Sequence, residues 1–306
     1  MTEKIKVGFF TPISGEWFNL HKNKIEQVTD INQAHYLIYE SNGDPINVIN
    51  ALKSKFPKNK LVFILSGDQN SHIDDECIWF SNAVKSTGLA KRQTQIFVTN
   101  PAIYKFYDLY KNTIPDINER KINIYFKGTI WTGMRTNMYN FFNGKNGCNI
   151  IKNNGYWDWR FSMAKPSQQD IEQTAFESYK DMLDAKLCLC PKGNGNSSMR
   201  IVEAIACGAI PILIDDFSAP FGVDWSEMAL IFDSRIHSWE HIWNMCQILL
   251  ADKEKMLKMQ KKGKEYFATV VNCDKLNPEC GMYKDLNTVA YGFSGKIVDR
   301  LLELSG

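Results

Sequence analysis

Along the first hundred residues, short apolar runs alternate with polar segments of helical spacing. IKVGFFT (5 to 11), AHYLIYE (34 to 40) and KLVFILSGD (60 to 68) read as strands, with a helix from after Asp44 through Phe56. CIWFSNAV (77 to 84) and TQIFVTN (94 to 100) add two more strands before Asn100 and Pro101 break the pattern. Strands that are apolar throughout, with helices between them, predict a parallel sheet covered on both faces.

A polar segment, KNTIPDINERK (111 to 121), precedes a second series and reads as the domain boundary. That series runs INIYFKGTI (122 to 130), a helix from about Arg135 to Phe142, CNIIK (148 to 152), and a helix from about Ser167 to Asp184. KLCLC (186 to 190), a short apolar helix, IPILID (210 to 215) and MALIF (228 to 232) follow. Helices at 238 to 250, 253 to 270 and 295 to 304 complete the chain. The expected fold is α/β, with two Rossmann-like parallel-sheet domains facing one cleft. The division falls at 1–115 and 116–294, and the last helix can return to the first domain. Ligands of such sheets sit beyond the carboxyl ends of the strands, which directs attention to the loops after 11, 40, 68, 130 and 190.

Composition changes this picture little. With 44% hydrophobic and 23% charged residues in 306, the chain is that of an ordinary globular protein. A net charge of +2 gives no broad field for nucleic acid. The eight cysteines form no CxxC pair, so a reducing, cytoplasmic setting is expected. No run reaches the roughly 18 apolar residues of a membrane span, and the first 18 residues lack a signal-peptide core.

The chemistry concentrates in KLCLCPKGNGNSSMRIVEAIACGAIPILIDD (186 to 216). Its loop matches neither standard nucleotide fingerprint. Ser197 and Ser198 are N-cap candidates for a helix whose free amides favour an anion such as a diphosphate, and Gly208 is the expected left-handed cap at its end. The helix is otherwise apolar, yet it carries Arg200 and Glu203 three residues apart on one face. Either they pair with each other or they serve a ligand, and the glycine-rich loop beside them favours the ligand.

LCLCPKG, SSMRIVEAIACGAIPILIDD, SAPF and VDWSEMALIF resemble, in order, the C-P-R-G loop, S-x-R-x-x-E-A helix, G-x-x-P-V strand, P-F pair and D/N-W segment of exostosin-type (GT47) glycosyltransferases. The resemblance implies a GT-B enzyme that inverts the anomeric carbon, uses no cofactor and no essential metal, and transfers sugar from a UDP-sugar donor to a glycan acceptor. It assigns the diphosphate to Arg200 and the ribose hydroxyls to Glu203, with Lys192, Gly193, Asn194, Ser197 and Ser198 forming the loop around the donor. KGTIWTGMR (127 to 135) resembles the family's G-x-x-R segment and makes Arg135 a second phosphate clamp; otherwise Arg135 is a solvated helix start. Lys192 stands where the family's loop has arginine, and still offers phosphate a point charge.

An inverting transfer needs a base to take the acceptor proton. Asp68 in FILSGDQNSHID and then Glu16 in TPISGEWF are the leading candidates, ahead of Glu40, His72 and Asp74; each also fits a turn or cap. Trp157 and Trp159 in YWDWR, and Trp17 near the first loop, could stack on a sugar or a base, or simply plug the core. Asp215 and Asp216 are adjacent rather than a D-x-D pair, which disfavours a metal-dependent GT-A enzyme. A GDP-fucose-type GT-B transferase and a non-catalytic nucleotide- or carbohydrate-binding module remain as alternatives.

Overall fold

The computed structural model describes residues 4–10, 21–41, 46–65, 76–81, 93–95, 102–130, 132–152, 168–192, 198–214, 224–268 and 294–305. Its first half contains β1 (Ile5–Phe9), β2 (Ile25–Gln27), β3 (Tyr36–Ser41), α1 (Ile46–Lys55), β4 (Leu61–Leu65), β5 (Ile78–Ser81), β6 (Gln93–Gln95) and α2 (Ala102–Tyr110). The second half runs β7 (Ile122–Gly128), α3 (Gly133–Phe142), β8 (Cys148–Lys152), α4 (Gln168–Leu183), β9 (Ala185–Pro191), α5 (Met199–Ala206), β10 (Ile210–Ile214) and β11 (Leu230–Phe232). It ends with α6 (Trp239–Ala251), α7 (Lys253–Tyr266) and α8 (Ser294–Ser305).

The strands form two sheets, ordered β2-β1-β3-β4-β5-β6 and β11-β10-β9-β7-β8. Every pairing in both is parallel. The protein is therefore α/β with two Rossmann-like sheets, the GT-B layout expected from the sequence. Two elements escape the sequence pattern. β2 has three residues, two of them exposed, too few to show a period. In α2, AIYKFYDLY, aromatic residues blur the helical signal, and the preceding Pro101 reads as a breaker although proline is tolerated at a helix start.

Alternation along the second sheet assigns its helices to faces. Tyr125, Cys188, Cys190 and Leu213 share a buried cluster with Tyr179 and Met182 of α4 and with Val202 and Ile205 of α5. Ile124, Phe126, Leu187, Leu189 and Ile212 point the other way, into a cluster with Met138 and Phe142 of α3 and with Ile242 and Cys246 of α6. Thus α3 and α5 cover opposite faces. The strand order explains why: from β7 the chain moves outward to β8, then returns across β7 to lay down β9 on its other side. The carboxyl ends of β7 and β9 therefore flank a topological switch point, where open α/β sheets bind ligands.

Two joints hold the halves together. In α8, Ile297, Val298 and Leu301 are buried, the Leu301 carbonyl accepts from the Tyr36 hydroxyl of β3 (3.3 Å), and Asp299 pairs with Lys24 (2.6 Å). The α2 helix instead packs on the second half: Phe106 meets Phe176 and Tyr179 of α4 edge-on, and Tyr107 contacts Phe267. The polar segment 111 to 121 that follows it is anchored, with Ile117 and Arg120 both buried. Arg120 donates to the carbonyls of Met182 (3.3 Å), Ala185 (2.7 Å), Pro115 (3.2 Å) and Cys207 (2.9 Å). Among the described residues no helix is long and apolar enough to cross a membrane.

Candidate functional site

The site grows from the ends of β7 and β9. Past β9, the Lys192 amide donates to the Ile214 carbonyl (3.3 Å), which ties the start of the glycine-rich loop to β10. At the start of α5, the extended backbone and side chain of Ser198 form the cap: its hydroxyl oxygen accepts from the Arg200 amide (3.3 Å). Thr132 caps α3 in the same way, accepting from the Arg135 amide (3.2 Å). Two helix N-termini, one on each face, thus open at the carboxyl end of one strand pair, and their partial positive charges favour an anion between them. At the far end of α5, Gly208 adopts φ +69°, the expected left-handed cap.

Arg200 and Glu203 are brought together. Arg200 Nη1 lies 2.9 Å from Glu203 Oε2, and Arg200 Nη2 donates to the Lys127 carbonyl at the end of β7 (2.8 Å). The second carboxylate oxygen, Glu203 Oε1, accepts from the Tyr179 hydroxyl (2.9 Å). Exposure separates the pair: the Arg200 side chain is 21% accessible, that of Glu203 only 7%. Burial alone would lower the Arg200 pKa, but the Glu203 carboxylate, together with Cys188, Tyr125 and Tyr179, outweighs it and holds the guanidinium above its ordinary value, so it carries its charge at any working pH. The pairing read from the sequence as the alternative to ligand binding is therefore present, and it leaves Arg200 as the partner that reaches the surface.

Arg135 is neither a solvated helix start nor an idle cation. Its Nε donates to the Lys192 carbonyl (3.0 Å), Nη1 to the Thr129 carbonyl (3.0 Å) and Nη2 to the Pro191 carbonyl (3.2 Å). The planar fork that suits phosphate here braces the loops leaving β7 and β9, while keeping a permanent positive charge beside them.

The surrounding groups are held neutral. Burial raises the Tyr125 pKa, and its hydroxyl donates to Asp181 Oδ2 (3.3 Å). Burial likewise holds the Cys190 thiol well above its ordinary range, with Sγ donating to the Cys188 carbonyl (3.4 Å). A thiol so placed is a packing group and no nucleophile.

Of the other expected site residues, Glu40 is buried at the carboxyl end of β3, 4% exposed. Glu16, Trp17, Asp68, His72, Asp74, Trp157, Trp159, Gly193, Asn194, Ser197, Asp215 and Asp216 lie outside the described residues. Sequence reasoning missed Tyr179. Its only linear signal is a tyrosine continuing the apolar stripe of Ala175 and Met182 on α4, a position where a phenylalanine would pack equally well.

The sequence matches the exostosin GT47 domain over residues 69–245. It is 30% identical to exostosin-1 of Bos taurus over 136 residues, which are 41% of this chain and 18% of that protein. It is 27% identical to the probable beta-1,4-xylosyltransferase IRX10L of Arabidopsis thaliana over 141 residues, 45% of this chain and 32% of that one. The matches therefore span about a fifth to a third of the length of these relatives. Among solved structures, HepE of Anabaena in complex with UDP aligns over 92% of this chain and 99% of its own, at 11% identity and a TM-score of 0.44. Because the domain match takes in more than half of the chain and contains the β7/β9 end with Arg135, Arg200 and Glu203, this protein belongs to the exostosin GT47 family.

Proposed function

We propose that this chain is an inverting glycosyltransferase that moves a sugar from a UDP-sugar to a hydroxyl of a glycan acceptor, without a metal ion. The observation that carries the reading is the convergence of two capped helix N-termini and two guanidinium groups on the β7/β9 switch point, in a chain of the exostosin family.

In this reading the donor diphosphate lies across the start of α5. A base on the first domain, Asp68 or else Glu16, takes the acceptor hydroxyl proton, and the acceptor oxygen attacks the anomeric carbon from the face opposite the diphosphate. The bond from that carbon to the β-phosphate oxygen breaks, and UDP leaves with the electron pair. Arg200, the Arg135 charge, Lys192 and the α5 amides stabilise the negative charge that develops on the leaving group. Trp17, Trp157 and Trp159 are the stacking candidates for sugar or base. The paired charges on α5 support a nucleotide diphosphate more directly than they support any particular sugar.

A panel of UDP- and GDP-sugars, assayed for binding and for donor hydrolysis with and without EDTA, tests the proposal. Preference for UDP-sugars with EDTA-insensitive turnover is expected. Preference for a GDP-sugar would remove the donor assignment, and activity abolished by EDTA and restored by manganese would remove the metal-independent mechanism. UDP binding without turnover of any donor would favour the binding module.

A further inference from the structure

We infer that the outward face of α7 docks the protein on an anionic lipid bilayer, through its lysines and through two aliphatic side chains beside the joint with α6.

The chain as a whole is nearly neutral, +2 over 306 residues, yet the 14 residues of α7 hold six lysines against two glutamates. The opposite side of the helix fixes it to the body. Met256, Met259, Gln260, Gly263 and Tyr266 are buried there. Gln260 Nε2 donates to the Gly208 carbonyl (3.1 Å), and its Oε1 accepts from the Ile117 amide (3.2 Å). The lysines therefore face outward as a fixed array, with Lys253, Lys255, Lys258, Lys261 and Lys262 all exposed. Acidic neighbours answer only part of it: Glu254 pairs with Lys258 (2.6 Å) and Glu227 with Lys262 (3.2 Å), while Glu265 lies at the far end of the helix. Among the described residues Lys253, Lys255 and Lys261 enter no ion pair.

Two further facts point to lipid as the partner. Ile248 is 63% exposed and Leu257 38%, and they flank Asp252, where α6 gives way to α7. A sulfated or phosphorylated polymer would use the lysines alone, whereas a bilayer also takes aliphatic tips into the boundary between headgroups and acyl chains. Neither α6 nor α7 contains an arginine. Discrete phosphates at fixed positions reward the planar guanidinium fork; fluid headgroups ask only for point charges on flexible stems, and clusters of about four to eight basic residues suffice to recognise them. The apolar side of α7 is committed to the core, so the helix rests on the surface and does not insert. Its bond to Gly208 places it toward the amino end of the second sheet, so docking leaves the β7/β9 carboxyl ends open to solvent.

The intact chain is sedimented with vesicles of phosphatidylcholine alone or mixed with phosphatidylserine, at low and at physiological salt. Binding to the mixed vesicles only, weakening as salt rises, is expected. Lys253→Gln, Lys255→Gln and Lys261→Gln together should lower it about a hundredfold, roughly fivefold for each lysine near such a surface. Ile248→Gln with Leu257→Gln should lower it about tenfold and leave binding to dextran sulfate, which carries charge without an apolar layer, as in wild type. All of these side chains are exposed, so both variants are expected to keep the wild-type urea midpoint. Failure to bind the mixed vesicles, equal binding to both vesicle types, or wild-type binding by the lysine variant would overturn the inference. Unchanged vesicle binding by the aliphatic variant, or an equal loss toward dextran sulfate, would reduce the face to a general polyanion contact and overturn the assignment to a bilayer.

Discussion

Arg135 and Arg200 stand on helices that cover opposite faces of the second sheet, yet they hold the same strand end. Arg200 donates to the Lys127 carbonyl (2.8 Å), and Arg135 to the Thr129 carbonyl two residues later (3.0 Å). Arg135 also grips the carbonyls of Pro191 and Lys192 across the switch point. The sheet thus brings two permanent charges to one place and uses part of their hydrogen-bonding capacity to shape it.

Replacing Arg135 tests that brace. Arg135→Lys keeps the charge but cannot reach three carbonyls with a planar fork. Arg135→Lys and Arg135→Ala are therefore expected to lose similar stability, about 1–3 kcal/mol in urea denaturation, and both should weaken UDP binding. If Arg135→Lys matches wild type in stability and binding, charge alone is sufficient and the brace is dispensable.

At the amino end of the same sheet, Gly208 has φ +69°, and a Cβ there would lie 2.8 Å from both Arg120 Nη2 and Ile114 Cγ2. Gly208→Ala combines a left-handed backbone with a clash against a buried guanidinium. A loss of about 2 kcal/mol or more is expected, read by equilibrium denaturation. Unchanged stability would mean that Arg120 and its carbonyl partners can shift at little cost.

Stability should fall as the pH rises from about 9 to 10. Burial raises the thiols of Cys148 to about 11 and Cys246 to about 12, with Cys207 also well above its ordinary 9.0. Unfolded thiols release their protons near 9.0 while these folded ones retain them, so the folded state binds more protons and loses ground with increasing pH. Arg120, lowered by burial to about 10, works the other way, but only as the pH approaches and passes that value. Denaturation midpoints across this window check the sign; a rising midpoint would contradict the burial of these groups.

How far the sequence could be read depends on how local each feature is. The apolar run Ile201 to Ala206, a serine before it and a glycine after it define α5 and both its caps without tertiary information. β4, β9 and β10 are legible for the same reason, each being a run buried on both faces, whereas β2 and the polar β6 are not. Arg120 is different. It lies in a segment whose polar composition reads as a linker, and its burial depends on carbonyls contributed from as far away as Met182, Ala185 and Cys207. Tyr179 is invisible for a related reason, because its hydroxyl matters only once α4 is packed against α5. Arg200 and Glu203 were legible as a pair, but which of them faces outward was not, since exposure depends on the helices above them.

The catalytic base proposed from the sequence has its own test. Asp68→Asn is expected to leave UDP affinity within about twofold of wild type and to lower transfer about a hundredfold or more, the scale of a lost general base. Full transfer activity in that variant would move the role to Glu16 or elsewhere.

The central claim is that the start of α5, with Arg200, binds the diphosphate of a uridine nucleotide. Calorimetric titration of UDP into wild type and Arg200→Ala tests it most directly. Measurable binding by wild type, weakened at least about tenfold in the variant, is the expected result. Equal UDP affinity in a folded Arg200→Ala would contradict it.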